Sequence, residues 1–78
     1  MLIILPSSPT TEAASDYLSS QGIAHIVIPV PESLNYKTGS DTAIYIDTQE
    51  DPHAHADIPM QLTKHRFVVM RVFKDYVQ

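Results

Sequence analysis

Cysteine is absent from this chain of 78 residues. Its absence excludes disulfides, thiolate metal sites and cysteine nucleophiles, and it leaves the redox compartment unmarked. Basic charge is also sparse. Five Lys and Arg stand against nine Asp and Glu, for a net charge of −4. A nucleic-acid partner is not expected, because counterion release needs clustered cations. The only basic concentration, Lys64, Arg66, Arg71 and Lys74, reads as ordinary solubilising charge. No run approaches the ~18 apolar residues of a membrane span. The apolar start at 2–5 lacks a preceding basic stretch and is stopped by Pro6, so it does not read as a signal peptide. A cytoplasmic location is the expectation, with no membrane partner. The segment around Gly39 lacks the glycine spacing and the following helix of a phosphate-binding loop.

What is there reads as one domain over 1–78. Hydrophobic residues make up 44% and charged residues 18%, which fits a folded chain rather than a disordered one. A domain of this size buries only roughly 60% of its unfolded surface, so its core must be thin. Leu2, Ile3, Ile4 and Leu5 are apolar without alternation, the pattern of a strand buried on both faces. Ser8 and Pro9 start a helix over 9–21, with Ser8 as cap. Ala14, Tyr17, Leu18 and Gln21 form its buried face, with Ala13 beside them. Gly22 is a left-handed C-cap followed by an apolar contact from Ile23. Further strands are expected at 24–29, 43–46 and 67–73, and a short helix at 58–65. Ala43 and Tyr45 should face one side of the sheet, Ile44 and Ile46 the other. In the last strand, Phe67, Val69 and Phe73 should face opposite to Val68, Met70 and Val72.

The order is β-α-β-β-α-β. It predicts an α+β, ferredoxin-like domain: a four-stranded antiparallel sheet with two helices on one face. The first and last strands are apolar on both faces, so the sheet face without helices would be an exposed apolar patch. That predicts a homodimer packed through this face. The alternative is that Arg71, Lys74 and the loop before the third strand shield it.

That loop, 29–41, reads as the longest structureless stretch of the chain, and long loops in small domains tend to carry function. Tyr36, Lys37, Thr38, Gly39 and Ser40, followed by Asp41, offer an aromatic face, a cation, hydroxyls and a flexible glycine. They are the candidate ligand- or partner-binding residues, suited to a small anion or a peptide. A second candidate is Asp51, His53, His55 and Asp57. If extended, these four project to one side and could hold a divalent ion. If helical, His53 and His55 lie about 200° apart and cannot share one. The reading as solvated residues at a helix start is preferred, and no cofactor is expected. Ser7 and Ser8 are read as capping residues, and His25 as a structural histidine with no evident acid or nucleophile beside it.

Several segments resemble the selenium/sulfur-carrier-like family of small bacterial proteins. The matching pieces are the strand ending at Pro6-Ser7-Ser8, the alanine-containing helix, Gly22-Ile23, the strand ending at Pro29-Val30-Pro31-Glu32, and Gly39 ahead of another strand. The resemblance is best over 22–32. It implies a ferredoxin-like build and a cysteine just before the glycine that precedes the third strand. Here Thr38 occupies that place, and Ser40 and Asp41 lengthen the approach to the strand. A hydroxyl cannot hold a persulfide or selenide, so the carrier chemistry implied by the family is absent. The functional expectation is a non-enzymatic binding or regulatory module that self-associates through its sheet and engages a protein or small ligand through 29–41. The alternative is metal binding at His53 and His55.

Overall fold

The computed structural model describes residues 1–36, 39–48 and 56–78. Its elements are β1 (Leu2–Ile4), α1 (Ser8–Ser20), β2 (Ile26–Pro29), β3 (Thr42–Tyr45), α2 (Ile58–Lys64) and β4 (Arg71–Phe73), with one 3₁₀ turn at Glu32–Leu34. The four strands form one sheet in the order β2-β3-β1-β4, and every neighbouring pair is antiparallel. Both β1 and β2 therefore run antiparallel to β3, which lies between them. The chain is α+β, as the order of elements predicts.

The two helices end alike. In α1, Gly22 takes φ +71°, its N–H bonds the Ser19 carbonyl and the Ile23 N–H reaches back to Leu18. In α2, Arg66 takes φ 69°, its N–H bonds Thr63 and the Phe67 N–H reaches back to Leu62. Each pair of bonds satisfies carbonyls orphaned at a helix end. Gly22 adopts this conformation without a Cβ penalty, whereas Arg66 is strained. The N-terminus of α1 is shifted by one residue from expectation. Ser7, not Ser8, is the cap, accepting the Thr10 N–H at 3.3 Å. Gln21 and Ala13 are exposed, and Thr11 takes the buried place beside Ala14 and Leu18.

The last strand is shorter than its apolar run. Met70 N–H donates to the Ile4 carbonyl at 2.8 Å, yet the ladder pairs Ile4 with Arg71. Two residues thus stand opposite one, as in a β-bulge, and side-chain alternation flips across it. Phe67, Val69 and Val72 consequently pack on the helix side, with Phe73 on the other; Val68 and Met70 are exposed. The expected grouping of Val72 with Val68 and Met70 is corrected accordingly.

Side chains on the two faces of the sheet form two cores. On the helix side, Ile3, Leu5, Ile44 and Ile46 meet Ala14 and Leu18 of α1 and Ile58 and Leu62 of α2. On the far side, Leu2, Ile4, Ile28, Ala43 and Tyr45 form a second cluster. The division of 43–46 between the faces is as expected. The far face, however, is not open. Val30, Leu34 and Tyr36 from the loop, Phe73, and Tyr76 from the C-terminal tail pack onto it, and Leu2 and Ile4 are 0% exposed within the single chain. Of the shields weighed from the sequence, the loop is one. Arg71 is another, its guanidinium lying 5.0 Å from the centre of the Phe73 ring, and the aromatic and aliphatic residues complete the cover. The Met1 ammonium pins the tail by donating to the Tyr76 carbonyl at 3.2 Å and to the Ile46 carbonyl at 2.8 Å. Burial lowers its pKa from 8.0, against the raising effect of Asp47 and Asp75.

Because both faces are covered, Ile4→Ala should destabilise as Ile3→Ala does, each by about 2–5 kcal/mol in urea unfolding. A far-face substitution worth only a few tenths would mean that this cover does not form.

Candidate functional site

The described part of the 29–41 loop is a built structure. It leaves β2 at Pro29, turns through Glu32–Leu34, and reverses at Asn35, which adopts a left-handed conformation with φ 49°. Asparagine tolerates that region better than most side chains. The loop then closes on itself, the Val30 N–H donating to the Asp41 carbonyl at 3.0 Å. Its apolar residues Leu34 and Tyr36 point into the far-side core, and the Tyr36 ring meets Phe73 edge-on at 6.0 Å.

Polar contacts fasten its return to α1. Ser40, 3% exposed, places its hydroxyl 3.0 Å from that of buried Thr11. It also donates to the Thr42 carbonyl at 2.7 Å and accepts the Thr42 N–H at 3.2 Å. Thr11 in turn donates to the Ser7 carbonyl, and the Asp41 N–H donates to the Ser8 hydroxyl at 3.3 Å. The two serines read as capping residues therefore divide their work. Ser7 caps the helix, and Ser8 holds the loop.

Between these anchors lies a cleft of about 500 Å³, lined by Val30, Pro31, Glu32, Asn35, Tyr36, Ser40 and Asp41. Its size falls within the usual range for small-molecule sites of about 300–1,000 Å³. Of the five candidate residues, Tyr36 and Ser40 line it. Lys37 and Thr38 lie outside the described residues. Gly39 has a backbone role: a Cβ there would stand 2.4 Å from the Pro6 carbonyl oxygen. Glu32, Asn35 and Asp41 were missed as individual site residues. The available signal was their place in the same loop, but only its closure brings them to one cleft.

The second candidate constellation falls largely elsewhere. Asp51, His53 and His55 lie outside the described residues. Asp57 stands exposed at the start of α2, where its carbonyl accepts the Gln61 N–H and its carboxylate accepts the Gln61 side-chain amide, both at 2.9 Å. Among the described residues, no three His, Asp or Glu side chains are gathered as metal ligands.

His25 does have a hydroxyl beside it, contrary to the sequence reading. Its Nδ1 is 2.8 Å from the Ile23 carbonyl, and its Nε2 is 2.6 Å from Ser15 Oγ. A carbonyl can only accept, so Nδ1 carries a proton and donates to it. The pair ties α1 to the start of β2, away from the cleft lining.

Gly39→Ala should lower stability by about 1–3 kcal/mol in denaturant unfolding, since the added carbon meets backbone and not a flexible side chain. An unchanged midpoint would contradict the close approach to Pro6.

No protein-family model, no curated protein and no solved structure matches the chain.

Proposed function

We propose that this chain is a small, non-enzymatic cytoplasmic binding or regulatory module that engages a ligand through the 29–41 loop. The observation that carries the reading is the cleft of about 500 Å³, which that loop builds almost alone. Its walls are held from two sides, by apolar anchors on the sheet and by hydroxyls at the start of α1. Such anchoring lowers the ordering cost of binding. The frame we propose is ferredoxin-like. In support, β1 and β2 flank β3 and all neighbouring strands are antiparallel, as a split βαβ arrangement requires. A relationship to the selenium/sulfur-carrier-like family, with the thiol replaced by Thr38, is part of the same proposal.

Self-association through the sheet face is not carried forward. Its motive was an uncovered apolar face, and the chain covers that face itself. The large apolar side chains that stay exposed are Ile26 and Val27 of β2, Met60 of α2, Val68 and Met70 before β4, and Val77. No described helix is long and apolar enough to cross a membrane.

Titrating the purified protein with a mixture of small polar and aromatic compounds, followed by amide NMR shifts, tests the reading. Saturable shifts should concentrate at residues 30–41. Shifts confined to α2 or β4, or none at millimolar compound, would overturn it.

A further inference from the structure

Away from the cleft, Ser15 and His25 have the arrangement of a nucleophile and its base. Hydroxyls inside helices commonly return to a carbonyl of their own preceding turn. Thr11 does so to Ser7, Ser20 to Tyr17 and Thr63 to Pro59. The Ser15 hydroxyl instead leaves its helix and lies 2.6 Å from Nε2 of His25. The ring is held by a third group, since its Nδ1 donates to the Ile23 carbonyl at 2.8 Å. That bond fixes the proton on Nδ1. In the neutral ring Nε2 is then the bare nitrogen, and it faces the Ser15 hydroxyl. Hydroxyl, base and orienting acceptor in this order are the signature of a nucleophile activated by an adjacent base. A backbone carbonyl stands here where a carboxylate orients the imidazole in the serine triads. Both side chains are half-buried, so the pair is braced and still open to a reagent.

The strand that follows His25 supplies apolar surface. Residues two apart in an extended chain share a side. His25 is turned toward α1, so Val27 lies on that side too, while Ile28 turns to the far-side core. Val27 is 43% exposed. An aliphatic group brought to Ser15 would have a surface to lie along two residues beyond the base.

We propose that Ser15 is an acyl acceptor, with His25 as its general base and an apolar ester as donor. As Oγ bonds the ester carbonyl carbon, its proton passes to Nε2. The bond from that carbon to the leaving oxygen then breaks, and the alcohol departs with the proton from Nε2. One ester is consumed, one acyl-serine and one alcohol form, and the ring is returned unchanged. Nothing is oxidised or reduced. A single transfer of this kind makes the chain a modified acceptor rather than a turnover catalyst. It is separate from ligand binding at 29–41 and does not depend on it.

The experiment treats the intact chain with two fluorophosphonates, one with an alkyl tail and one with a polyether tail, and locates the label by peptide mass spectrometry. These probes present phosphorus in place of the carbonyl carbon, and fluoride leaves as the bond to Oγ forms. Ser19, exposed on the same helix, is the internal reference. Ser15 should react about 100-fold faster than Ser19, the lower end of the gain expected from general-base catalysis. His25→Gln should remove most of that advantage, with an amide spectrum unchanged away from positions 15 and 25 as the sign that it is folded. The alkyl probe should label Ser15 several-fold faster than the polyether probe. Equal labelling of Ser15 and Ser19 in the parent chain would overturn the proposal whatever the fold of the variant, and leave the pair as a structural tie between α1 and β2. Undiminished labelling of Ser15 in folded His25→Gln would overturn the role of the base. Equal rates with the two tails would overturn the choice of an apolar donor.

Discussion

Covering the far face of the sheet is the constraint on which the remaining structure depends. A sheet of four short strands in 78 residues cannot leave Leu2 and Ile4 in water. Burying each such side chain is worth about 1.5–3 kcal/mol, a large share of the stability of a small domain. The helices serve only one face. The 29–41 loop and the C-terminal tail serve the other through Val30, Leu34, Tyr36 and Tyr76. The loop is thus a structural layer first. Its cleft exists because Tyr36 is drawn inward to the sheet while Ser40 is held by Thr11 at the opposite limb. Stability and the candidate site share residues, and Tyr36 belongs to both.

The sheet margins follow from the hydrogen-bond pattern. Val30 bonds Asp41 across the ladder, so the alternating residue Ile28 also turns its backbone toward β3, and Val27 and Pro29 turn theirs outward. Proline at such a position removes an N–H that would otherwise invite another strand. β2 is thereby blunted where the loop departs, even though Ile26 and Val27 are exposed. β4 is interrupted where Met70 and Arg71 oppose Ile4, another feature that disfavours pairing along an edge. These features turn attention from strand addition to the cleft.

Local signals in the sequence were faithful where one residue decides the outcome. The unbroken apolar stretch at 2–5 announces a central strand buried on both sides, and Gly22 announces the end of α1. The α1 cap was misplaced by one because Ser7 and Ser8 are chemically equivalent and only the geometry separates them. The apolar run at 67–73 overstates β4 because it hides the bulge at Met70 and follows directly on the left-handed Arg66 that ends α2. The covered far face was the harder case. Leu34, Tyr36 and Tyr76 lie in stretches without periodicity, and nothing local says that they fold under β1. The same holds for the cleft, since Glu32 and Asp41 are brought to it by a loop closure that no motif marks. His25 and Ser15 lie on different elements, and their contact likewise depends on how α1 packs beside β2.

The claim that the chain seals its own sheet is tested most directly by isotope-filtered NOE measurement on the intact protein. A uniformly labelled sample should show Tyr45–Tyr76 and Tyr36–Phe73 contacts, the ring pairs that lie 5.9 Å and 6.0 Å apart at the far face. An equimolar mixture of labelled and unlabelled chains should show none of them between molecules. Intermolecular contacts reaching Leu2 or Ile4, or the absence of both ring contacts within one chain, would contradict the account.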